Sequence, residues 1–77
     1  MMKDKILTVI SIIMEANINN LDENTSSKNI ENWDSLRHMN LIVAIEEEFK
    51  IELTDDEIVG MNSYKEIESV LKSYNIN

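Results

Sequence analysis

A small all-α fold is the expectation for this chain, and three observations carry it. Apolar residues recur at helical spacing in three segments, and no segment alternates apolar and polar residues as a half-buried strand does. Two Thr/Ser-x-x-Glu signals mark helix starts in the second half of the chain. Proline is absent and glycine occurs once in 77 residues, so the helices can run unbroken. That length predicts one domain spanning residues 1–77. With hydrophobic residues at 43%, the chain is expected to fold rather than remain disordered.

The first helix is expected from about Lys3 to Asn17. Ile6, Val9, Ile10 and Ile13 make one stripe, which Leu7 and Met14 widen. From Ile18 to Asp34 the period disappears and asparagine, aspartate, serine and threonine dominate. Their side chains bond to nearby backbone and favour turns, so this is a long loop with Leu21 and Ile30 as its expected anchors. Asp34 is a suitable N-cap for a second helix from Ser35 to about Lys50. Thr54-Asp55-Asp56-Glu57 is a capping box, with Leu53 and Ile58 placed for a hydrophobic staple, and Gly60 is the expected terminator of this short third helix. Ser63-Tyr64-Lys65-Glu66 opens a fourth helix carrying Tyr64, Ile67, Val70, Leu71 and Tyr74. The prediction is a four-helix bundle of three longer helices and a short third, with a long loop between helices 1 and 2.

Composition excludes several functions. Without cysteine there is no disulfide scaffold, no Cys-based zinc site and no cysteine nucleophile. The net charge of −8 argues against nucleic acid and for basic protein partners. No apolar stretch approaches the about 20 residues that span a membrane, and the N-terminus lacks a signal-peptide pattern, so a cytoplasmic location is expected. A chain this short buries only about 60–65% of its unfolded surface, which leaves little room for a deep catalytic cavity.

The second helix has more apolar surface than a small core can use. Leu41, Ile42, Ile45 and Phe49, extended back to His38, form a core stripe. Leu36, Met39 and Val43 form a second stripe that runs into Glu46 and Glu47. An ordinary bundle helix needs about 100° of apolar arc. Leu36, Met39 or Val43 could cover the end of the bundle. Together they read as an exposed docking strip rimmed by carboxylates, in which methionine adapts to several partners. Ser35 stands at the top of this strip. A phosphate carried there would lie near unpaired N–H groups and the positive end of the helix dipole.

The segment Asn32-Trp33-Asp34-Ser35-Leu36-Arg37-His38-Met39-Asn40-Leu41, running on through Ile42-Val43-Ala44-Ile45 to Glu46-Glu47-Glu48-Phe49, resembles the attachment region of acyl carrier proteins. The order of helices and the total length are similar to that family end to end. The resemblance implies that Ser35 bears a 4′-phosphopantetheine arm, flanked by Asp34 and Leu36 and installed from coenzyme A by a phosphopantetheinyl transferase that binds Mg²⁺. It implies a carrier, not an enzyme, holding acyl or related groups as thioesters and presenting them to acyl-loading and acyl-processing enzymes. Leu36, Arg37, Met39, Asn40, Val43, Glu46 and Glu47 are its implied partner-facing residues; Leu41, Ile45 and Phe49 match the family's core. Many carriers of fatty acid synthesis have acidic residues where this chain has Arg37 and Asn40. That departure, with Trp33 before Asp34, looks more like stand-alone carriers of polyketide, nonribosomal peptide, or surface-glycan and modified-sugar synthesis. Fatty acid synthesis remains within the implied range, and a monomer suffices.

The residues themselves leave a second reading open, a helical interaction module in which Ser35 is a cap residue or a phosphosite. His38, the single histidine, reads as a packing or hydrogen-bonding residue, since no partner exists for a nucleophile–base pair. Trp33 reads as packing for the long loop. Glu46-Glu47-Glu48 and Asp55-Asp56-Glu57 lack the spacing of a calcium loop, so no metal site is expected. The acidity is uneven. Residues 1–30 set three lysines against four carboxylates, whereas residues 31–77 set four cations against eleven.

Overall fold

The computed structural model describes residues 2–76, and among them the regular structure is helical. Helix α1 spans Met2–Met14, α2 Ser35–Phe49, α3 Asp55–Gly60 and α4 Tyr64–Ser73. A 3₁₀ turn at Ile18–Asn20, which the sequence reading left within the loop, is capped by the Asn17 side chain accepting from Asn19 N–H at 2.9 Å. Helix α1 is the spine, and both α2 and α4 pack against it. The core combines Ile6, Ile10 and Met14 of α1, Leu41, Ile42 and Ile45 of α2, and Tyr64, Ile67 and Leu71 of α4. Phe49, Leu21 and Ile30 sit at its margin, partly buried, and Trp33 and Met61 close it.

Two expectations about α1 need correction. The helix ends at Met14 rather than Asn17. Glu15 turns left-handed (φ 53°), Ala16 N–H returns to the Ser11 carbonyl at 3.0 Å, and the Ser11 hydroxyl donates to the Ala16 carbonyl at 2.6 Å. This is a Schellman-type stop built without glycine. The buried stripe is also rotated from the expected one. Ile6, Leu7, Ile10 and Met14 lie deepest, Val9 and Ile13 border them, and Ile12 faces solvent.

The same stop recurs at Lys50 (φ 57°), with Ile51 N–H on the Glu46 carbonyl, and at Asn75 (φ 62°), with Ile76 N–H on the Leu71 carbonyl. Gly60 ends α3 as expected, but not through a left-handed conformation. It is the last residue of α3, has no positive φ, and a Cβ placed on it would meet nothing within 4 Å. Helix α3 ends at Gly60 without using a left-handed glycine.

The caps hold with one shift. Thr54 and Glu57 form the reciprocal box, Thr54 Oγ1 accepting from Glu57 N–H and Glu57 Oε1 from Thr54 N–H at 2.9 Å. At α4, Ser63 Oγ accepts from Glu66 N–H as expected, but the Glu66 carboxylate reaches Asn62 N–H and the Ser63 hydroxyl instead of Ser63 N–H. The long loop is latched to this helix start. Tyr64 N–H donates to the Thr25 carbonyl and Ser27 N–H to the Asn62 carbonyl, both at 2.9 Å, forming an isolated bridge between Ser26 and Ser63. Thr25, only 3% exposed, accepts from Asp22 N–H at 2.8 Å. No described helix is long and apolar enough to cross a membrane.

Candidate attachment site at the start of α2

The chain reaches α2 through Asn32, Trp33 and Asp34, and each residue is tied down. The Asn32 amide donates to the Met14 carbonyl at 2.9 Å, satisfying one orphan acceptor at the end of α1. Asp34 is extended (φ −108°, ψ −176°), and its Oδ1 accepts from Arg37 N–H at 2.8 Å. Asp34 is therefore the N-cap, and Ser35 is the first helical residue. The Ser35 side chain is exposed, and its hydroxyl makes no hydrogen bond among the described residues. Capping does not use Ser35 Oγ, which is left open to modification. Unpaired N–H groups of the first turn and the positive end of a 15-residue helix lie beside it, a setting that favours an attached phosphate.

Trp33 is buried. Its indole Nε1–H donates to His38 Nδ1 at 3.1 Å, and the rings stack with centroids 6.2 Å apart. His38 Nε2 lies 2.7 Å from the Ile58 carbonyl in α3. Since Nδ1 accepts, Nε2 carries the proton and donates. Both nitrogens are engaged, and His38 is not free to act as a base toward Ser35.

The apolar strip below Ser35 is exposed: Leu36 is 72%, Met39 48% and Val43 51% accessible. Asn40 and Glu47 are exposed on the same helix. Two residues that the sequence placed with this strip have structural engagements. Glu46 Oε2 accepts from Leu53 N–H at 2.9 Å and fixes the segment after α2. Arg37 turns back to α1, its Nη1 donating to the Ile13 carbonyl at 2.7 Å and its Nη2 lying 3.6 Å from Glu15 Oε2.

A groove of about 450 Å³ runs from Ser35 between α2 and α3, lined by Ser27, Trp33, Asp34, Ser35, His38, Met39, Ile58, Val59 and Asn62. Val59, 74% exposed, extends the apolar surface onto α3. The sequence reading missed it; the Ile58-Val59 pair in so short a helix was the available signal, because adjacent helical residues point about 100° apart and a single marginal turn need not bury both. A hollow of about 500 Å³ lies under the loop, lined by Met14, Asn17, Asn24, Asn29 and others, without Ser35. Among the described residues no group of three His, Asp or Glu side chains is arranged to hold a metal.

The family described as "Phosphopantetheine attachment site" matches residues 4–71, nearly the whole chain. Over 43 residues the chain is 46% identical to an acyl carrier protein of Buchnera aphidicola, a match covering 56% of this chain and 55% of that relative. The chain thus aligns with about half the length of that curated relative.

Proposed function

The chain belongs to the acyl carrier protein family, which is defined by a phosphopantetheine attachment site, and on that premise we propose that Ser35 is the attachment residue. The observation that carries this reading is the free, exposed Ser35 hydroxyl at the start of α2, with Asp34 performing the capping. When attached, the 4′-phosphopantetheine arm supplies a terminal thiol for thioesters, chemistry that a chain without cysteine lacks. Asp34 holds the first turn of α2, and the turn's unpaired N–H groups would favour the charge of a phosphodiester carried on Ser35. The protein carries and does not catalyse. Its partners are a phosphopantetheinyl transferase and acyl-loading and acyl-processing enzymes, in the cytoplasm, with residues 1–77 acting as a single monomeric domain.

Leu36, Met39 and Val43, with Asn40 and Glu47 beside them, form the proposed partner face. Exposed carboxylates speed encounter with basic partners, and surface ion pairs of about 0–1 kcal/mol each permit release. Arg37 and Glu46 border this face but also hold the fold. The Arg37 charge is drawn toward Glu15, so the departure from a carboxylate-rich fatty-acid carrier rests on the neutral Asn40 and on carboxylates missing near Ser35. This supports a specialised pathway — polyketide, nonribosomal peptide, or surface-glycan and modified-sugar synthesis — over fatty acid synthesis.

The test is direct. The purified chain is incubated with coenzyme A, Mg²⁺ and a broad-specificity phosphopantetheinyl transferase, and its intact mass is measured. One added phosphopantetheine is expected, and none on Ser35→Ala. A Ser35→Ala protein that still gains the group would move the attachment elsewhere.

A further inference from the structure

We propose that His38 is a positioning residue for the attachment end of α2, a neutral clamp whose hold on Trp33 is released by a single proton. The imidazole joins three parts of the chain: the loop end through Trp33 Nε1–H, α2 through its own backbone, and α3 through the Ile58 carbonyl. All three contribute to the groove beside Ser35. Helix α3 has six residues and contributes no fully buried side chain. Ile58 at the core margin, Leu53 and Met61 at its flanks and the Glu57–Tyr74 bond also hold α3, and the bond to the Ile58 carbonyl adds a direct polar tie to α2.

The two bonds respond differently to protonation. Neutral His38 accepts at Nδ1 and donates at Nε2. The imidazolium carries a proton on each nitrogen and accepts at neither. Protonation therefore keeps the donation to the Ile58 carbonyl and turns Nδ1 into a donor facing the indole N–H. The Trp33 bond is lost, while α3 stays attached. Asp34 is the one other ionisable side chain lining the groove, and its Oδ1 is committed to Arg37 N–H. From α3 the groove receives Ile58 and Val59, with Glu57 turned to Thr54 and Tyr74. The loops contribute the neutral Ser27 and Asn62, and Arg37 is turned to Ile13 and Glu15. The Trp33 contact is thus the element that a change of pH reaches.

The consequence for transfer rests on Ser35 being the attachment residue, but the structural claim does not. Trp33 is the single tryptophan, so its indole N–H gives one resonance in a ¹H–¹⁵N spectrum of the unmodified chain. At about pH 8 the His38 side-chain ¹⁵N shifts should report the Nε2–H tautomer, and on acidification the indole resonance should move in step with those shifts. His38→Gln, whose amide can accept from Trp33 and donate to Ile58, should hold the indole resonance constant on the same acidification; His38→Phe should show the released position throughout. In transfer from coenzyme A near neutral pH, His38→Gln should stay close to the parent while His38→Phe loses about tenfold in kcat/KM. A neutral Nδ1–H tautomer, or an indole resonance that titrates equally in His38→Gln, would overturn the clamp. Unmodified mass in the parent chain would instead count against Ser35 and leave the clamp standing.

Discussion

The Arg37 guanidinium donates a 2.7 Å hydrogen bond to the carbonyl of Ile13, so the one basic residue beside the proposed attachment serine is a fastener between the start of α2 and the end of α1. With Asn32 on the Met14 carbonyl, it satisfies the orphan acceptors where α1 stops. Arg37→Ala should lower stability by about 1–2 kcal/mol, the scale of a lost charge-assisted bond. The midpoint of urea unfolding measures this. Arg37→Lys, unable to reproduce the planar donor fork, should recover only part of the loss.

Glycine and the left-handed conformation are mismatched in this chain. Lys50 ends α2 at φ 57°, whereas Gly60 occupies an ordinary helical position with open space around its Cα. Lys50→Gly should stabilise by about 0.5–1 kcal/mol through relief of left-handed strain, net of unfolded-state entropy. Gly60→Ala should stabilise by about 0.5 kcal/mol through helix propensity. Thermal unfolding of the two single variants and the double variant checks both, and the effects should add.

Stability should decline at both ends of the pH scale through identifiable pairs. Burial, and then the hydrogen bond to Glu68, push the Tyr64 hydroxyl up to about 12. Its contribution is complete below the ordinary value of 10.0 and is lost as pH rises toward 12, because the unfolded chain ionises first. Tyr64→Phe should flatten the alkaline limb. Glu57 is held below its ordinary 4.5 by the Thr54 backbone N–H and then by the Tyr74 hydroxyl. Its contribution is present above that value and is lost as pH falls through the folded-state value, so Glu57→Gln should flatten the acid limb. Urea midpoints across pH measure both.

Val43 is half exposed on the strip below Ser35, and Val43→Asp should leave helical content and urea midpoint nearly unchanged. Transfer to or from partner enzymes should slow by roughly 5–30-fold, the effect of about 1–2 kcal/mol at a contact residue. Circular dichroism and transfer kinetics on the same sample separate the two effects. An unfolded Val43→Asp would place Val43 in the core.

Local signals carried most of the fold. Helical periodicity, the Asp34 cap and the Thr54–Glu57 box depend on residues within one or two turns, and each appears in the structure. The exposed apolar strip was legible because Leu36, Met39 and Val43 exceed the arc that one core face can absorb. What escaped were the α1 stop at Met14, a left-handed turn with no glycine to announce it, and features fixed by distant backbone: the Thr25 and Ser27 latches to the start of α4 and the inward turn of Arg37. Side-chain type does not encode which remote carbonyl a donor will find. Gly60 does mark the end of α3, but not by a left-handed conformation, which this chain places on Glu15, Lys50 and Asn75 instead.

The latch between residues 25–27 and 62–64 gives the attachment region a particular order of assembly. A chain is synthesised N-terminus first, so Ser35 is made before the backbone that steadies its preceding loop exists. The loop gains its backbone partners only once Asn62 and Tyr64 are present, and the approach to the serine is therefore completed by the last helix rather than by the first two. A chain interrupted before α4 presents Ser35 without that frame, so the geometry around the proposed attachment serine depends on synthesis having passed the start of α4.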